Sequence, residues 1–267
     1  MIEYAIAPLF VPGDKPDILP KAARSNADAI IFDLEDAVAP DQKNAARSAL
    51  SGPLACDVSV RLNGIQTQWF DDDVAAIVGT QITSVILPKV ETSEEITELT
   101  ARLPHRLPII ALIESATGIE NIVSIAKAAD RLAFGSLDFA ADLGCAHEAT
   151  SLLYFRSRIV LASRLAGLPP PLDGVTADFS DSIACAADTE HAKKLGFSGK
   201  LCIHPNQIEI VLNGFSPTDA EIAWARTAVA AGPGVNNVNG VMVDGPVRLR
   251  AQRVLDLVSK QKTITQA

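Results

Sequence analysis

Short unbroken apolar runs alternate along this chain with longer stretches in which apolar residues recur every three or four positions. The runs are Tyr4–Val11, Ala29–Leu34, Val58–Leu62, Ser84–Leu87, Ile109–Ile113, Leu132–Phe134, Pro171–Val175 and Lys200–Ile203. Such runs predict strands buried on both faces, as in parallel sheet. The periodic stretches predict helices from the Gly13-Asp14 turn to about Asn26 and over Asp41–Leu50, Trp69–Val78, Ser93–Arg102, Ile119–Ala129, Glu148–Ala166, Ser182–Leu195 and Thr218–Ala231. Thr92 or Ser93 caps the fourth of these, and Gly196 closes the seventh. Eight strands alternating with eight helical segments are the count of a single (β/α)8 TIM barrel. A doubly wound sheet competes, but its early Gly-x-Gly-x-x-Gly turn is missing. Periodicity stops at Ala231-Gly-Pro-Gly-Val235, so residues 1–232 are expected to form the barrel and 233–267 a short C-terminal segment.

Composition narrows the class. A chain of 267 residues that is 48% hydrophobic can bury one large core. No apolar run approaches the roughly 20 residues that span a bilayer, and the N-terminus lacks a basic region and a cleavage site. A soluble, cytoplasmic protein is expected. Cys56, Cys145, Cys185 and Cys202 form no CxxC pair, so reduced, mostly buried thiols are expected, without zinc or a disulfide framework. A net charge of −9 argues against nucleic acid and anionic membrane as partners.

The chemistry gathers where strands end. Glu35 and Asp36 follow the second strand, Arg61 closes the third, Lys89 follows the fourth, Glu114 the fifth and Asp138 the sixth. In a barrel these ends share one rim, the usual place for reactive groups. Glu114 and Asp138 leave neighbouring strands and would repel each other unless a cation sat between them. Mg²⁺, which uses one or two carboxylates plus water or substrate oxygens, suits that gap, with Mn²⁺ as the alternative ion. The plainer reading makes Glu114 a helix cap and Asp138 a solvated loop acid. Six polar residues on one rim favour the metal.

The segments LFVPGDKPDILPKAARSNADAIIFDLEDAVAP, VRLNG, VILPKVE, IALIESATGI, AFGSLDFAADLG, LLYFRSRIVLASRLAGLP, GFSGKLCIHPNQ and MVDGPV together resemble the citrate lyase beta subunit-like proteins. These belong to the HpcH/HpaI aldolase/citrate lyase superfamily, with malyl-CoA and citramalyl-CoA lyases. The resemblance spans nearly the whole chain. It implies a TIM barrel, Mg²⁺ dependence, a homotrimer or hexamer, and reversible cleavage of a 3-hydroxyacyl-CoA into an acyl-CoA and a 2-oxo acid. By motif, Glu114 and Asp138 resemble the metal-ligating carboxylates, and Arg61 resembles the arginine that faces the substrate. Asp244 resembles the aspartate that a C-terminal lid delivers to a neighbouring subunit's site. Leu137 departs from the family, which usually has an acid there.

These residue types suit the reaction. Cleavage beside a hydroxyl leaves a thioester enolate and a new carbonyl, so negative charge needs support in two places. A divalent ion can act as Lewis acid toward the oxo acid, and Arg61 can stabilise the enolate; otherwise Arg61 is a strand-end salt bridge to Glu35 or Asp36. Asp244 would exchange the enolate-carbon proton. Glu35 and Asp36 would order metal-bound water or pair with Arg61, and Asp33 would be a buried hydrogen-bonding residue of the wall. Gly135 and Ser136 are small enough to bring backbone N–H groups to a substrate carboxylate. Lys15, Lys21, Arg24, Lys43 and Arg47 could meet CoA phosphates, although solvated helix faces are the simpler reading. Two other functions stay open: a CoA-independent, metal-dependent aldolase, with a Lys89 Schiff base as a weaker variant, and a carrier-dependent subunit of a citrate lyase complex.

Overall fold

The computed structural model describes residues 2–50, 57–238 and 240–265. Among them, eight parallel strands pair in strict chain order: β1 (Leu9–Pro12), β2 (Ile30–Asp33), β3 (Val58–Arg61), β4 (Ser84–Leu87), β5 (Ile109–Ile113), β6 (Arg131–Phe134), β7 (Leu172–Asp173) and β8 (Gly199–Lys200). Just past β8, Cys202 bridges Leu9, and its carbonyl accepts the Phe10 N–H at 2.9 Å. The sheet thus curls back toward its first strand, giving a TIM-barrel-like α/β fold. The connecting helices are α1 (Leu19–Ala22), α2 (Lys43–Ala49), α3 (Phe70–Ile77), α4 (Ser93–Arg102), α5 (Ala116–Glu120), α6 (Ile122–Ala128), α7 (Ser136–Leu143), α8 (Ala149–Leu165), α9 (Ser182–Leu195) and α10 (Ile208–Phe215).

Ile31, Ile86, Ile110, Leu112, Ala133, Leu172 and Leu201 share one buried apolar cluster inside the sheet. Side chains alternate between faces along a strand. Asp33, two residues beyond Ile31, and Glu114, two beyond Leu112, therefore fall on the same inward side. The pairing of β2 with β3 sets Asp33 directly beside Arg61.

The expected first helix is shorter, a 3-10 turn Pro16–Ile18 followed by Leu19–Ala22, and the seventh and eighth strands are two residues each; three further differences bear on the site and its frame. The first strand is shorter than Tyr4–Val11, because side chains take the backbone groups ahead of it. Arg131 Nη1 donates to the Ile2 and Ala5 carbonyls at 2.6 and 2.9 Å, and Asp28 accepts the Ile6 and Ala7 N–H groups. The helix expected over Ile119–Ala129 is two, α5 and α6, hinged at Asn121, whose side chain donates to the Glu91 carbonyl at 2.9 Å. Asp138, expected in the stretch after a strand, lies in the first turn of α7, a helix the pattern did not predict. Cys145 is half-buried and Cys185 and Cys202 are buried, all as free thiols; Cys56 lies outside the described residues. Among those residues no helix is long and apolar enough to cross a membrane.

The chain divides into two compact units, Met1–Leu212 and Asn213–Ala267. The second contains α11 (Asp219–Ala230), an antiparallel hairpin of β9 (Asn236–Val238) with β10 (Val241–Val243), and α12 (Gly245–Thr265). Ala225, Ala228, Val243 and Ala251 form its own core, with Trp224 and Val247 against them. Thr218 and Glu221 cap α11 reciprocally. Asp244 precedes α12 and its Oδ1 accepts the Val247 N–H at 3.1 Å, an N-terminal cap followed by Gly245-Pro246.

Candidate metal centre and active site

Arg61 is the fixed point of the rim. Its Nε and Nη2 donate to the two oxygens of Asp33 at 2.7 and 2.6 Å, a bidentate pair, and its guanidinium lies 4.7 Å from the Phe10 ring centroid. Asp33 also accepts the Glu35 and Ala37 N–H groups, so it shapes the turn after β2. Arg61 Nη1 sits 2.9 Å from Glu35 Oε2, without the alignment of a hydrogen bond. That buried oxygen has no hydrogen-bond partner. Burial alone would weaken the Arg61 charge, but Asp33 and Glu35 hold its pKa above the ordinary arginine value. The ion pair expected with Glu35 or Asp36 is thus built mainly on Asp33, the acid read as a wall residue.

Glu114 stands on the inward face at the end of β5 and is 3% exposed. Its Oε2 accepts the Lys89 backbone N–H at 2.8 Å. Burial, then the charge of Glu35, pushes its carboxyl well above the usual range; Asp138 acts in the same direction and Arg61 against it. Lys89 joins this carboxyl to Glu35, donating its amide N–H to Glu114 and its Nζ to Glu35. Glu35 is raised likewise, first by burial. Lys89 has φ 54°, a left-handed conformation that costs a non-glycine residue about 1–2 kcal/mol. That turn aims its amide at Glu114, while its Nζ donates to Glu35 Oε1 at 2.6 Å and lies 3.4 Å from Asp36. Burial alone would lower its pKa, but Glu35 holds it above the ordinary lysine value. A persistent ammonium is a poor Schiff-base nucleophile.

Gly135 is required here. A side chain at this position would strike Glu114 Cγ and Oε1, and its Cβ would stand 2.7 Å from Cδ. Ser136 is buried and its Oγ lies 2.9 Å from His147 Nε2. Leu137 and Asp138 are exposed on the first turn of α7.

No group of three His, Cys, Asp or Glu side chains among the described residues forms a metal cage. A hard ion resting on Glu114 and Asp138, with water or substrate oxygens completing its shell, does fit Mg²⁺. The buried Glu114 carboxyl, raised by burial and by the acids around it, is what a cation would relieve.

The basic set does not survive as a unit. Lys43 is buried, donating to the Leu34 and Glu35 carbonyls and to Asn63 at 2.6–2.8 Å. Arg47 pairs with Asp73 at 2.9 Å and Asp72 at 3.2 Å. Lys43 and Arg47 are therefore neither solvated nor free for phosphates, and only Lys15, Lys21 and Arg24 are exposed. A shallow groove of about 490 Å³ between α2 and α3 is lined by this paired Arg47 and Asp72. Sequence reading also missed Lys43 and Asn63 as supports of the Glu35 turn, and His147; no spacing signal marks any of them.

A TIM-barrel-like sheet whose rim carries a buried guanidinium and surplus carboxylates defines an enzyme of the barrel class. The model of the HpcH/HpaI aldolase/citrate lyase family matches residues 7–205, and the chain belongs to that family, as a lyase. It is 36% identical to the citrate lyase subunit beta of Leuconostoc mesenteroides subsp. cremoris, over 94% of this chain and 92% of that protein. It is equally 36% identical to a (3S)-malyl-CoA thioesterase of Cereibacter sphaeroides, over 97% of this chain and 93% of that one. CitE from Mycobacterium tuberculosis, solved with magnesium, acetoacetate and coenzyme A, superposes with a TM-score of 0.86 at 34% identity, covering 96% of this chain and 99% of that one. The citrate lyase beta subunit of the same organism, complexed with oxaloacetate and magnesium, gives 0.73 at 34% identity, covering 81% of this chain and 99% of that one.

Proposed function

We propose that the protein is a Mg²⁺-dependent carbon–carbon lyase that cleaves, or forms, a 3-hydroxyacyl-CoA such as malyl-, citramalyl- or citryl-CoA. The products of cleavage are an acyl-CoA and a 2-oxo acid. The observation that carries the reading is the buried Glu114 carboxyl, tied through the Lys89 amide and ammonium to Glu35, which in turn meets Arg61 at 2.9 Å. Glu114 and Asp138 would hold the ion, which supplies Lewis acidity toward the oxygens of the oxo acid. Arg61, immobilised by Asp33, donates to the thioester oxygen as the bond electrons move into the enolate, and its position costs no reorganisation at that moment. Gly135 and Ser136 let backbone N–H groups approach the oxo-acid carboxylate. Asp244 gives the enolate carbon its proton in cleavage and removes it in condensation. We place Asp244 in a lid that serves a neighbouring subunit of a homotrimer or hexamer, in line with the motif MVDGPV.

The test is turnover of malyl-, citramalyl- and citryl-CoA by the purified chain, with Mg²⁺ and again in EDTA. A 2-oxo acid and an acyl-CoA should appear only with the metal. Undiminished turnover in EDTA, or activity confined to free hydroxy-oxo acids, would refute the reading. Kinship with a (3S)-malyl-CoA thioesterase supports a second reading in which the thioester is hydrolysed; release of free CoA thiol separates the two.

A further inference from the structure

The first turn of α7 carries Asp138; buried Phe139 packs it on Phe134 and Phe155, but it has no side-chain cap. Its N-cap is Gly135, which makes no side-chain capping bond. No capping side chain can be installed there, because Glu114 fills the space it would need. A side-chain hydrogen bond ties this turn laterally to the rest of the fold, between buried Ser136 and His147 on the loop between α7 and α8. Gly174, after β7, closes the other side: a Cβ there would overlap Ser136 Oγ and stand 2.9 Å from the Phe134 carbonyl. Ser136 is thus confined between Gly174 and His147, next to the glycine that touches Glu114 and two residues before Asp138.

We propose that His147 is a positioning residue for the metal site, fixing the first turn of α7 through the Ser136 hydroxyl so that Asp138 stays in register with Glu114. The inference rests on the reading of Glu114 and Asp138 as the ion's ligands. Partners hydrogen-bonded to a ligand itself typically contribute about 10–100-fold to metal affinity, and His147, one contact further out, stands at the low end of that range. Titration calorimetry with Mg²⁺ alone on the full chain tests it. His147→Ala and Ser136→Ala should each raise the Kd about tenfold, the double variant no further than either single one, and His147→Gln, whose amide can meet the same hydroxyl, should recover most of the loss. The unfolding midpoint in EDTA should fall equally in His147→Ala and Ser136→Ala, by no more than the loss of one buried hydrogen bond costs. Mg²⁺ binding by His147→Ala equal to wild type would overturn the proposal, as would a lowered midpoint with unchanged Kd. Failure of the parent reading looks different: either the wild-type chain binds no Mg²⁺ or Asp138→Asn binds it as tightly as wild type, and the role of His147 falls with it.

Discussion

Two strand aspartates of this sheet each pair with a buried arginine, and their settings differ. On the inward face Arg61 grips Asp33 with two hydrogen bonds. Between β7 and α8, Arg156 Nε meets Asp173 at 2.9 Å, and Lys200 lies 3.5 Å from the same carboxylate. Charges around the second pair balance, with Asp173 and Asp188 against Arg156 and Lys200. Burial alone would raise Asp173, but Lys200 and Arg156 hold it below the ordinary aspartate range. The rim has Asp33, Glu35, Asp36, Glu114 and Asp138 against Arg61, Lys89 and the buried Lys43 beneath the Glu35 turn, and there Glu35 and Glu114 are raised. One cluster is close to charge balance within the chain, although the buried Arg156 Nη1 has no hydrogen-bond partner among the described residues, and the other carries surplus acid that protonation or an added cation would neutralise. Unbalanced buried charge, more than the presence of an ion pair, marks the functional site.

Breaking each pair should separate the two roles. Arg61→Ala is expected to lower kcat about 10²–10³-fold, the usual loss for one oxyanion donor. Arg156→Ala should leave kcat per folded molecule unchanged and destabilise by about 1–3 kcal/mol, the effect of losing a buried charged hydrogen bond while Lys200 still faces Asp173; urea unfolding beside steady-state rates reads both. Equal kinetic losses would erase the distinction. Gly135→Ala, which drives a methyl into Glu114, should weaken Mg²⁺ binding about 10–100-fold without disturbing the Asp173 cluster, a difference calorimetry would show.

The smallest effect is in pH dependence, and its sign differs between the clusters. Glu114 has a folded pKa above its ordinary value, so its contribution in the absence of metal is complete below that value and is lost as pH rises through the folded pKa. Asp173 is depressed, so its contribution is present above the ordinary aspartate value and is lost as pH falls through the folded pKa. Unfolding in EDTA across pH should show Glu114→Gln removing an alkaline loss and Asp173→Asn an acid loss. Metal binding, which needs an ionised Glu114, should strengthen with pH by at most about tenfold per unit. Parallel slopes in the two variants would contradict the charge argument.

Much of this was legible in order. β4, β5, α4 and α9 match the apolar pattern residue for residue, because unbroken runs and capped periodic stretches have few alternative folds. The ends of the second, third and fifth strands placed Glu35, Arg61 and Glu114 on the rim. Illegible were α7, whose eight residues are too few for a periodic signal, and the long-range partners. Nothing in the spacing joins Lys43 to Asn63 or Ser136 to His147, since those contacts depend on how loops from different βα units meet.

By itself the sequence determined the parallel strand order, the polar rim and the family, since hydrophobic periodicity and strand-end residues are local properties written into consecutive positions. Only the tertiary structure decided that Asp33 immobilises Arg61, that Glu114 is buried among like charges, and that Gly135 must lack a side chain. Those facts arise from distances between elements far apart in the chain and from the exclusion of water around them, neither of which any single segment encodes.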